Sequence, residues 1–215
     1  MSRLDTKAFG LKKTSRIKAF VFIATAKAAG YPLEKAYFHS NNKTDADIRY
    51  AMECGVGTFV VDGPDELVAI DAIAGERGMT QRVLLRITPG IDPHTHKAIV
   101  TGSVDSKFGS AIETGQALEI VRLALAQPHL HLAGFHCHIG SQIFDTEPFS
   151  SAADIMVKFI ATVKDICGIE VEELNLGGGL GVPYTEYDRE VDYAAAIRDM
   201  AATFAGSVLR QQSRL

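Results

Sequence analysis

The chain has 215 residues, of which 47% are hydrophobic, so it can bury one sizeable core. Its formal net charge of -4 and sequence pI of about 6.0 disfavour a nucleic-acid-binding protein. No apolar run approaches the roughly 20 residues that are needed to cross a bilayer. The three cysteines lack CxxC spacing, so they predict neither a disulfide framework nor a structural zinc site, and we expect a cytoplasmic protein that acts on a small molecule.

From residue 36 onward, short apolar runs alternate with stretches of helical spacing, which is typical of βα units and a parallel sheet. The predicted strands are 36–39, 58–61, 82–87, 130–139 and 172–176. The predicted helices are 45–54, 65–77, 112–126, 152–166 and 193–204. These units fit either an open doubly wound sheet or part of an eight-unit barrel.

Four polar or glycine positions fall at the carboxyl ends of successive predicted strands: His39, Arg86, His138 and Gly177. A barrel brings such positions around one mouth, whereas an open sheet gathers only those beside its switch point. A barrel of about 250 residues has eight units, of which five or six are recognisable here. We therefore predict an α/β fold, namely an incomplete (β/α)8 TIM-type barrel.

Four charged residues on the predicted helices are expected to be exposed to solvent, and the Cys137 side chain is expected to be buried in the core. The charged residues concerned are Asp45, Asp47, Glu66 and Arg77.

The segment from His136 to Gln142 and the glycine run at 177–179 are the strongest candidates for a functional site. An imidazole at a strand end can lie flat under an aromatic cofactor. Three consecutive glycines let backbone N–H groups approach a phosphate without Cβ obstruction. Together they indicate a phosphorylated aromatic cofactor, for which pyridoxal 5'-phosphate is the best fit.

A metal-dependent hydrolase is the alternative, because the chain has two His-x-His pairs, His94/His96 and His136/His138. However, no histidine follows His138, and the first pair follows Pro89 in a predicted loop. We therefore predict no metal site.

A set of short motifs occurs in a fixed order along the chain. They are FHSNNK at 38–43, VVD at 60–62, LLR at 84–86, PGID at 89–92, HTH at 94–96, DSKFG at 105–109, HCHIGSQIF at 136–144 and LNLGGGLG at 174–181. From about residue 30 to 184 the chain resembles the barrel domain of the fold type III, alanine-racemase-like pyridoxal phosphate enzymes, and among them the diaminopimelate decarboxylases. Ser40 departs from that pattern, since the family usually has glycine there.

The resemblance implies decarboxylation of meso-diaminopimelate to L-lysine with pyridoxal 5'-phosphate as cofactor. It implies that His138 stacks on the pyridine ring and that Arg86 lines the pocket. It also implies a homodimer in which Lys107 pairs across the interface. The phosphate-binding groups that it implies are Ser141 and the backbone of Gly177, Gly178 and Gly179.

The family's cofactor lysine lies in a Tyr-Ala-x-Lys-Ala context that is not intact here. Lys7, in the partial match Thr6-Lys7-Ala8-Phe9, is the candidate for this Schiff-base lysine, but a solvated terminal lysine is the favoured interpretation. The family's Glu-Pro-Gly-Arg segment and C-terminal β domain are not recognisable either.

We accordingly expect an atypical basic segment at 1–29, a partial barrel domain at 30–205 and a non-family tail at 206–215. A crude signal-peptide outline at 19–26 is the less favoured interpretation of the first segment. We expect little decarboxylase activity from this chain alone. The alternatives are an inactive or partner-binding fragment, or another fold type III decarboxylase or racemase.

Overall fold

A computed structural model of the chain describes residues 18–91 and 108–212. Its helices are α1 (Lys18–Ala28), α2 (Asp45–Glu53), α3 (Pro64–Glu76), α4 (Gln116–Leu125), α5 (Glu147–Cys167) and α6 (Tyr193–Gln212), with a 3-10 turn at Leu33–Lys35. Its strands are β1 (Tyr37–Phe38), β2 (Thr58–Val61), β3 (Gln81–Thr88), β4 (Ser110–Ala111), β5 (Leu130–His136) and β6 (Glu173–Asn175).

The sheet is parallel, and its strands lie in the order β1-β2-β3-β5-β6, which is their order along the chain. The short strand β4 lies off this path and pairs with the end of β3. A doubly wound sheet reverses its order at a switch point. The order observed here has no reversal, so it excludes that alternative.

A hydrogen bond between the two outer strands shows that the sheet is curled. The Tyr37 hydroxyl on β1 donates to the Glu173 carboxylate on β6 over 2.6 Å. Four strand spacings would separate these strands by about 19 Å in a flat sheet, which is beyond the combined reach of the two side chains. The five strands therefore form an arc, and the prediction of an incomplete TIM-type barrel is confirmed.

The convex face of the arc carries the main core, which the helices cover. Phe59, Leu85 and Phe135 are fully buried there, and Phe135 packs against Phe159 of α5 with ring centroids 5.2 Å apart. The concave face has a small apolar layer formed by Val60, Leu84 and Ala133. This layer separates the polar side chains at the carboxyl ends of the strands from those at the amino ends.

Close approach of β5 and β6 depends on Gly134. A Cβ added to this residue would lie 1.8 Å from the Glu173 carbonyl oxygen. The pairing of β3 with β5 also shifts register between Val83 and Leu84. These features fix how far each strand extends at the carboxyl edge.

Local signals explain the helix boundaries that the sequence predicted and those that it did not. A capping box between Thr44 and Asp47 starts α2. Helix α5 begins earlier than predicted, since Pro148 occupies its first turn, and it ends at Gly168, whose φ of 69° is left-handed. Helix α6 continues to Gln212, beyond the predicted end at residue 204, and helix α1 was not predicted.

The expectation that all four charged helix residues are solvated was wrong for two of them. Asp47 is buried because its carboxylate accepts the Thr44 backbone N–H in the capping box. Glu66 accepts a hydrogen bond from the buried ammonium of Lys43. Cys137 is fully buried, as predicted.

Within the described residues, no helix is both long and apolar enough to cross a membrane.

Candidate functional site

The carboxyl ends of the strands bring together the residues that the sequence placed there. His39 follows β1, Arg86 lies near the end of β3, and His138 and Gly177 follow β5 and β6. The rings of His39 and His136 meet edge to face, with centroids 4.8 Å apart. A polar site therefore occupies the mouth of the partial barrel.

Arg86 supplies the positive charge of this site. Its guanidinium lies 3.2 Å from the Asp62 carboxylate at the end of β2, and its central carbon lies 4.5 Å from the centre of the Phe108 ring. Both contacts are largely shielded from water, since the side chains of Arg86 and Asp62 are 15% and 11% exposed. The guanidinium is thereby held in one place.

His138 offers a neutral imidazole. Burial lowers its pKa below the usual value, and the nearby Arg86 lowers it further, whereas a backbone hydrogen bond with Gly178 acts in the opposite direction. An uncharged ring of this kind can stack on a planar, electron-poor heterocycle without the cost of desolvating a cation.

The glycine run packs so closely that two of its positions exclude a side chain. Gly177 has a φ of 73°, and a Cβ there would lie 2.5 Å from the Cys137 carbonyl oxygen. Gly179 has a φ of 113°, and a Cβ there would lie 1.9 Å from the Gly140 carbonyl oxygen. A Cβ at Gly178 would meet nothing within 4 Å, so this residue borders open space.

Backbone hydrogen bonds join the glycine run to the segment after β5. The Ile143 N–H donates to the Gly179 carbonyl over 2.9 Å, and the Gly181 N–H donates to the Ile143 carbonyl over 2.8 Å. Ser141 is exposed within this joined segment. Ser141 therefore lies in the segment that is joined to the glycine backbone.

The Gly177 N–H already has a partner. It donates to the side-chain oxygen of Asn175 over 2.9 Å. The N–H groups of Gly178 and Gly179 are consequently the backbone donors of the run that a phosphate could use. A nest of donors beside a fixed cation and an exposed hydroxyl has the chemistry that a phosphate requires, and the neutral His138 suits an aromatic ring. The residues present therefore fit pyridoxal 5'-phosphate.

Sequence reasoning missed the partners that hold the site. Asp62 and Asn175 stand within two of the short motifs, but their pairing depends on strand register. Lys43 was noticed only within a motif. Its side chain is fully buried, and its ammonium donates to the Ser40 and Val60 carbonyls and to Glu66 over 2.6 to 2.8 Å.

Lys43 therefore links the loop after β1 to β2 and α3, and all three protons of its ammonium are used in hydrogen bonds.

The candidate lysine Lys7, the interface candidate Lys107 and the pair His94/His96 lie outside the described residues. In the described part of the chain, no group of three or more His, Cys, Asp or Glu side chains is arranged to hold a metal ion.

An apolar cleft of about 330 Å³ is lined in part by Gly177 and Gly178 of the glycine run. Its walls come from β6 and α6, through Leu174, Leu176, Met200 and Phe204, and from Phe149 of α5. These side chains offer no polar group, so the lining of the cleft differs in chemistry from the polar residues at the strand ends.

Comparison with known proteins gives a consistent family. Residues 21–211 match the family model described as "Pyridoxal-dependent decarboxylase, pyridoxal binding domain". The chain is 43% identical to the diaminopimelate decarboxylase of Bacillus methanolicus over 176 residues, which is 82% of this chain and 41% of that protein. It is 45% identical to the Bacillus subtilis enzyme over 164 residues, covering 76% and 37% of the two chains.

Solved structures give the same result. Diaminopimelate decarboxylase from M. jannaschii, in complex with L-lysine, superimposes with a TM-score of 0.75 at 34% identity, covering 90% of this chain and 43% of that one. The Helicobacter pylori enzyme, also complexed with L-lysine, gives a TM-score of 0.77 at 30% identity, covering 86% and 46%. The chain thus spans less than half the length of the relatives that it matches.

Proposed function

Because this chain belongs to the pyridoxal-dependent decarboxylases, we propose that it forms the cofactor-binding part of a diaminopimelate decarboxylase. In this proposal the complete activity removes the carboxylate at the D-configured centre of meso-diaminopimelate and yields L-lysine. Identities of 43% to 45% to curated diaminopimelate decarboxylases support this substrate class.

One observation carries the proposal. The neutral imidazole of His138 lies beside the glycine run, since a Cβ at Gly179 would be 3.4 Å from its Cε1 and a Cβ at Gly177 would be 3.1 Å from its Nδ1. A planar ring on the imidazole and a phosphate on the N–H groups of Gly178 and Gly179 would use both features of the same site.

Pyridoxal phosphate, when bound, supplies an electron sink for the pair left behind by the departing carboxylate. The chain's own residues orient it and set its electrostatic surroundings. His138 provides a flat, uncharged face. Ser141 and the backbone of Gly178 and Gly179 provide donors for a phosphate near charge -2.

Arg86 acts through its charge. In a partly buried site a fixed guanidinium attracts a phosphate or a substrate carboxylate more strongly than it would in water. Asp62 holds the guanidinium in place through one of the Arg86 terminal nitrogens at 3.2 Å. Arg86 therefore lines the pocket as a fixed cation.

The remaining parts of the proposal concern the assembled protein. A second copy of the chain is the proposed partner, with Lys107 at the interface, and Lys7 is the proposed covalent anchor of the cofactor. The proposed location is the cytoplasm. The proposed division is a basic segment at 1–29, a barrel domain at 30–205 and a tail at 206–215.

Titration with pyridoxal 5'-phosphate, followed by absorbance and by quenching of tyrosine fluorescence, tests the proposal. We expect saturable binding that the His138→Leu variant weakens about tenfold, which corresponds to loss of one favourable ring contact. His131→Leu, at the opposite end of β5, is the matched control and should bind like the parent. Equal affinity of the parent and His138→Leu would reject the proposed pocket.

Reduction with borohydride followed by peptide mapping tests the anchor. Labelling at Lys7 supports the proposal, and labelling at another lysine rejects it. Release of carbon dioxide from meso-diaminopimelate by the purified chain is expected to be very slow.

A further inference from the structure

The carboxamide of Asn175 joins two parts of the site. Asn175 ends β6 and lies opposite His136 in the strand register. Its side-chain oxygen lies 3.1 Å from Nδ1 of His136 and accepts the Gly177 N–H over 2.9 Å. One oxygen atom therefore touches the imidazole at the end of β5 and the first residue of the glycine run.

These contacts determine which nitrogen of His136 carries a proton. A backbone N–H can only donate, so the Asn175 atom that receives it from Gly177 must be the oxygen and not the amide nitrogen. A carbonyl oxygen can only accept, so Nδ1 of His136 must be the donor in the second contact. His136 is consequently protonated at Nδ1, and in its neutral form Nε2 bears a lone pair.

The surroundings of His136 keep it neutral. The residue is 5% exposed, and burial lowers its pKa to about 4. Among the described residues, the titratable groups that act on the ring are His39, Arg86 and His138, and each of them opposes a positive charge on it, whereas the hydrogen bond with Asn175 acts in the opposite direction. Its contact with Asn175 is therefore a bond between neutral groups at physiological pH.

The same oxygen fixes the entry to the glycine run. Gly177 is held at a φ of 73°, and its α-carbon lies so close to β5 that a Cβ would be 3.1 Å from Nδ1 of His138. The Cys137 N–H also donates to the Asn175 main-chain carbonyl over 2.9 Å. Asn175 thus holds both the strand that carries His138 and the backbone that leads to Gly178.

We propose that Asn175 and His136 are positioning residues that hold the glycine run in its anion-binding form through one shared carbonyl oxygen. The positioning itself rests on the geometry alone. Its consequence for a phosphorylated ligand rests on the proposed function. Neither residue touches the ligand in this proposal, so the effect of their shared oxygen reaches its phosphate through Gly177.

Two variants of Asn175 separate this role from simple packing. Asn175→Asp keeps an oxygen that can accept from both Gly177 and His136. Asn175→Leu keeps the approximate volume and removes the acceptor. Asn42→Leu, at an exposed asparagine in the loop after β1, is the control for the substitution itself.

Nuclear magnetic resonance of the folded chain provides the first readout. In the parent, imidazole nitrogen shifts of His136 should show protonation at Nδ1. In Asn175→Leu the Gly177 amide should exchange about tenfold faster with solvent, as expected for loss of one hydrogen bond. In Asn175→Asp its protection should be retained, and the pKa of His136 should rise by about two units because a carboxylate favours the imidazolium.

Ligand affinity provides the second readout. Asn175→Leu should weaken pyridoxal 5'-phosphate about tenfold and leave pyridoxal, which lacks the phosphate, unchanged. Equal weakening of both ligands would reject a role through the phosphate-binding run. Protonation at Nε2 in the parent, or unchanged exchange at Gly177 in Asn175→Leu, would overturn the positioning role.

If the parent binds neither ligand, the proposed function fails, and the resonance measurements still decide the positioning role. If Asn175→Leu does not fold, Asn175→Asp decides it through the protection of Gly177 and the pKa of His136.

Discussion

Replacing Gly179 with alanine tests how tightly the site is built. The residue has a φ of 113°, which lies outside the region that an alanine adopts easily, and this strain costs about 1 to 3 kcal/mol. The added Cβ would lie 1.9 Å from the Gly140 carbonyl oxygen, so the two segments must separate. Separation removes the two backbone hydrogen bonds made by Ile143, each contributing about 1 kcal/mol.

The total expected loss for Gly179→Ala is about 3 to 5 kcal/mol, a large share of the 5 to 15 kcal/mol that stabilises a typical domain. In a urea titration followed by circular dichroism, this loss should lower the midpoint by about 2 M for a slope of about 2 kcal/mol per M. Pyridoxal phosphate affinity should fall as well.

Gly178→Ala is the matched control. Its added Cβ meets nothing within 4 Å, and its φ is not in the left-handed region. We expect its stability to change by less than about 1 kcal/mol. A Gly179→Ala midpoint equal to that of the parent, or a Gly178→Ala midpoint lowered to the same extent, would refute this account of the glycine run.

Three further predictions concern buried and paired charges. The folded pKa of His136 is about 4, below the ordinary 6.5, so the unfolded state binds more protons as the pH falls. The free energy of unfolding should therefore fall by about 2 kcal/mol between pH 7.5 and about 5. Urea titrations at these two pH values should show a smaller fall for His136→Asn. The pKa of Asp154 is lowered to about 2 by Lys158, Ser207 and Arg210, so its contribution to the free energy of unfolding is present above a pH of about 3.8 and lost toward pH 2. After allowance for solvent screening, Asp154→Asn should lower stability by about 1 kcal/mol at neutral pH and not at all near pH 2. The same loss at both pH values would contradict the pairing. Lys43→Met leaves the buried Glu66 carboxylate without its cation and should lower the free energy of unfolding by about 3 kcal/mol or more. The double variant Lys43→Met/Glu66→Leu should recover most of that loss in the same denaturation measurement. No recovery would mean that the two side chains are not coupled.

The elements that the sequence predicted best are those whose burial is uniform. Strand β2 has the predicted limits because all four of its residues are buried and three of them are apolar. Helix α1 was not predicted because its apolar stretch follows basic residues and was assigned to the atypical basic segment at 1–29. Its partner surface becomes visible only in three dimensions, where Ile23 joins the core.

The site divides in the same way. His39, Arg86 and His138 could be placed because the end of a strand is a local property and parallel strands share one carboxyl edge. The contacts of Asn175 with His136, and of Asp62 with Arg86, depend on register between strands that are 24 to 39 residues apart in sequence. The buried pair of Lys43 and Glu66 depends on how α3 docks, so a single sequence could not reveal it.

The hydrogen bond from Tyr37 to Glu173 gives the arc of strands a fixed radius. It ties the first strand to the last one at their amino ends, where Arg82 also bonds to Glu173 over 3.1 Å. Curvature is therefore set at the end opposite to the polar mouth. Side-chain changes at the mouth that keep its backbone contacts therefore leave this tie intact.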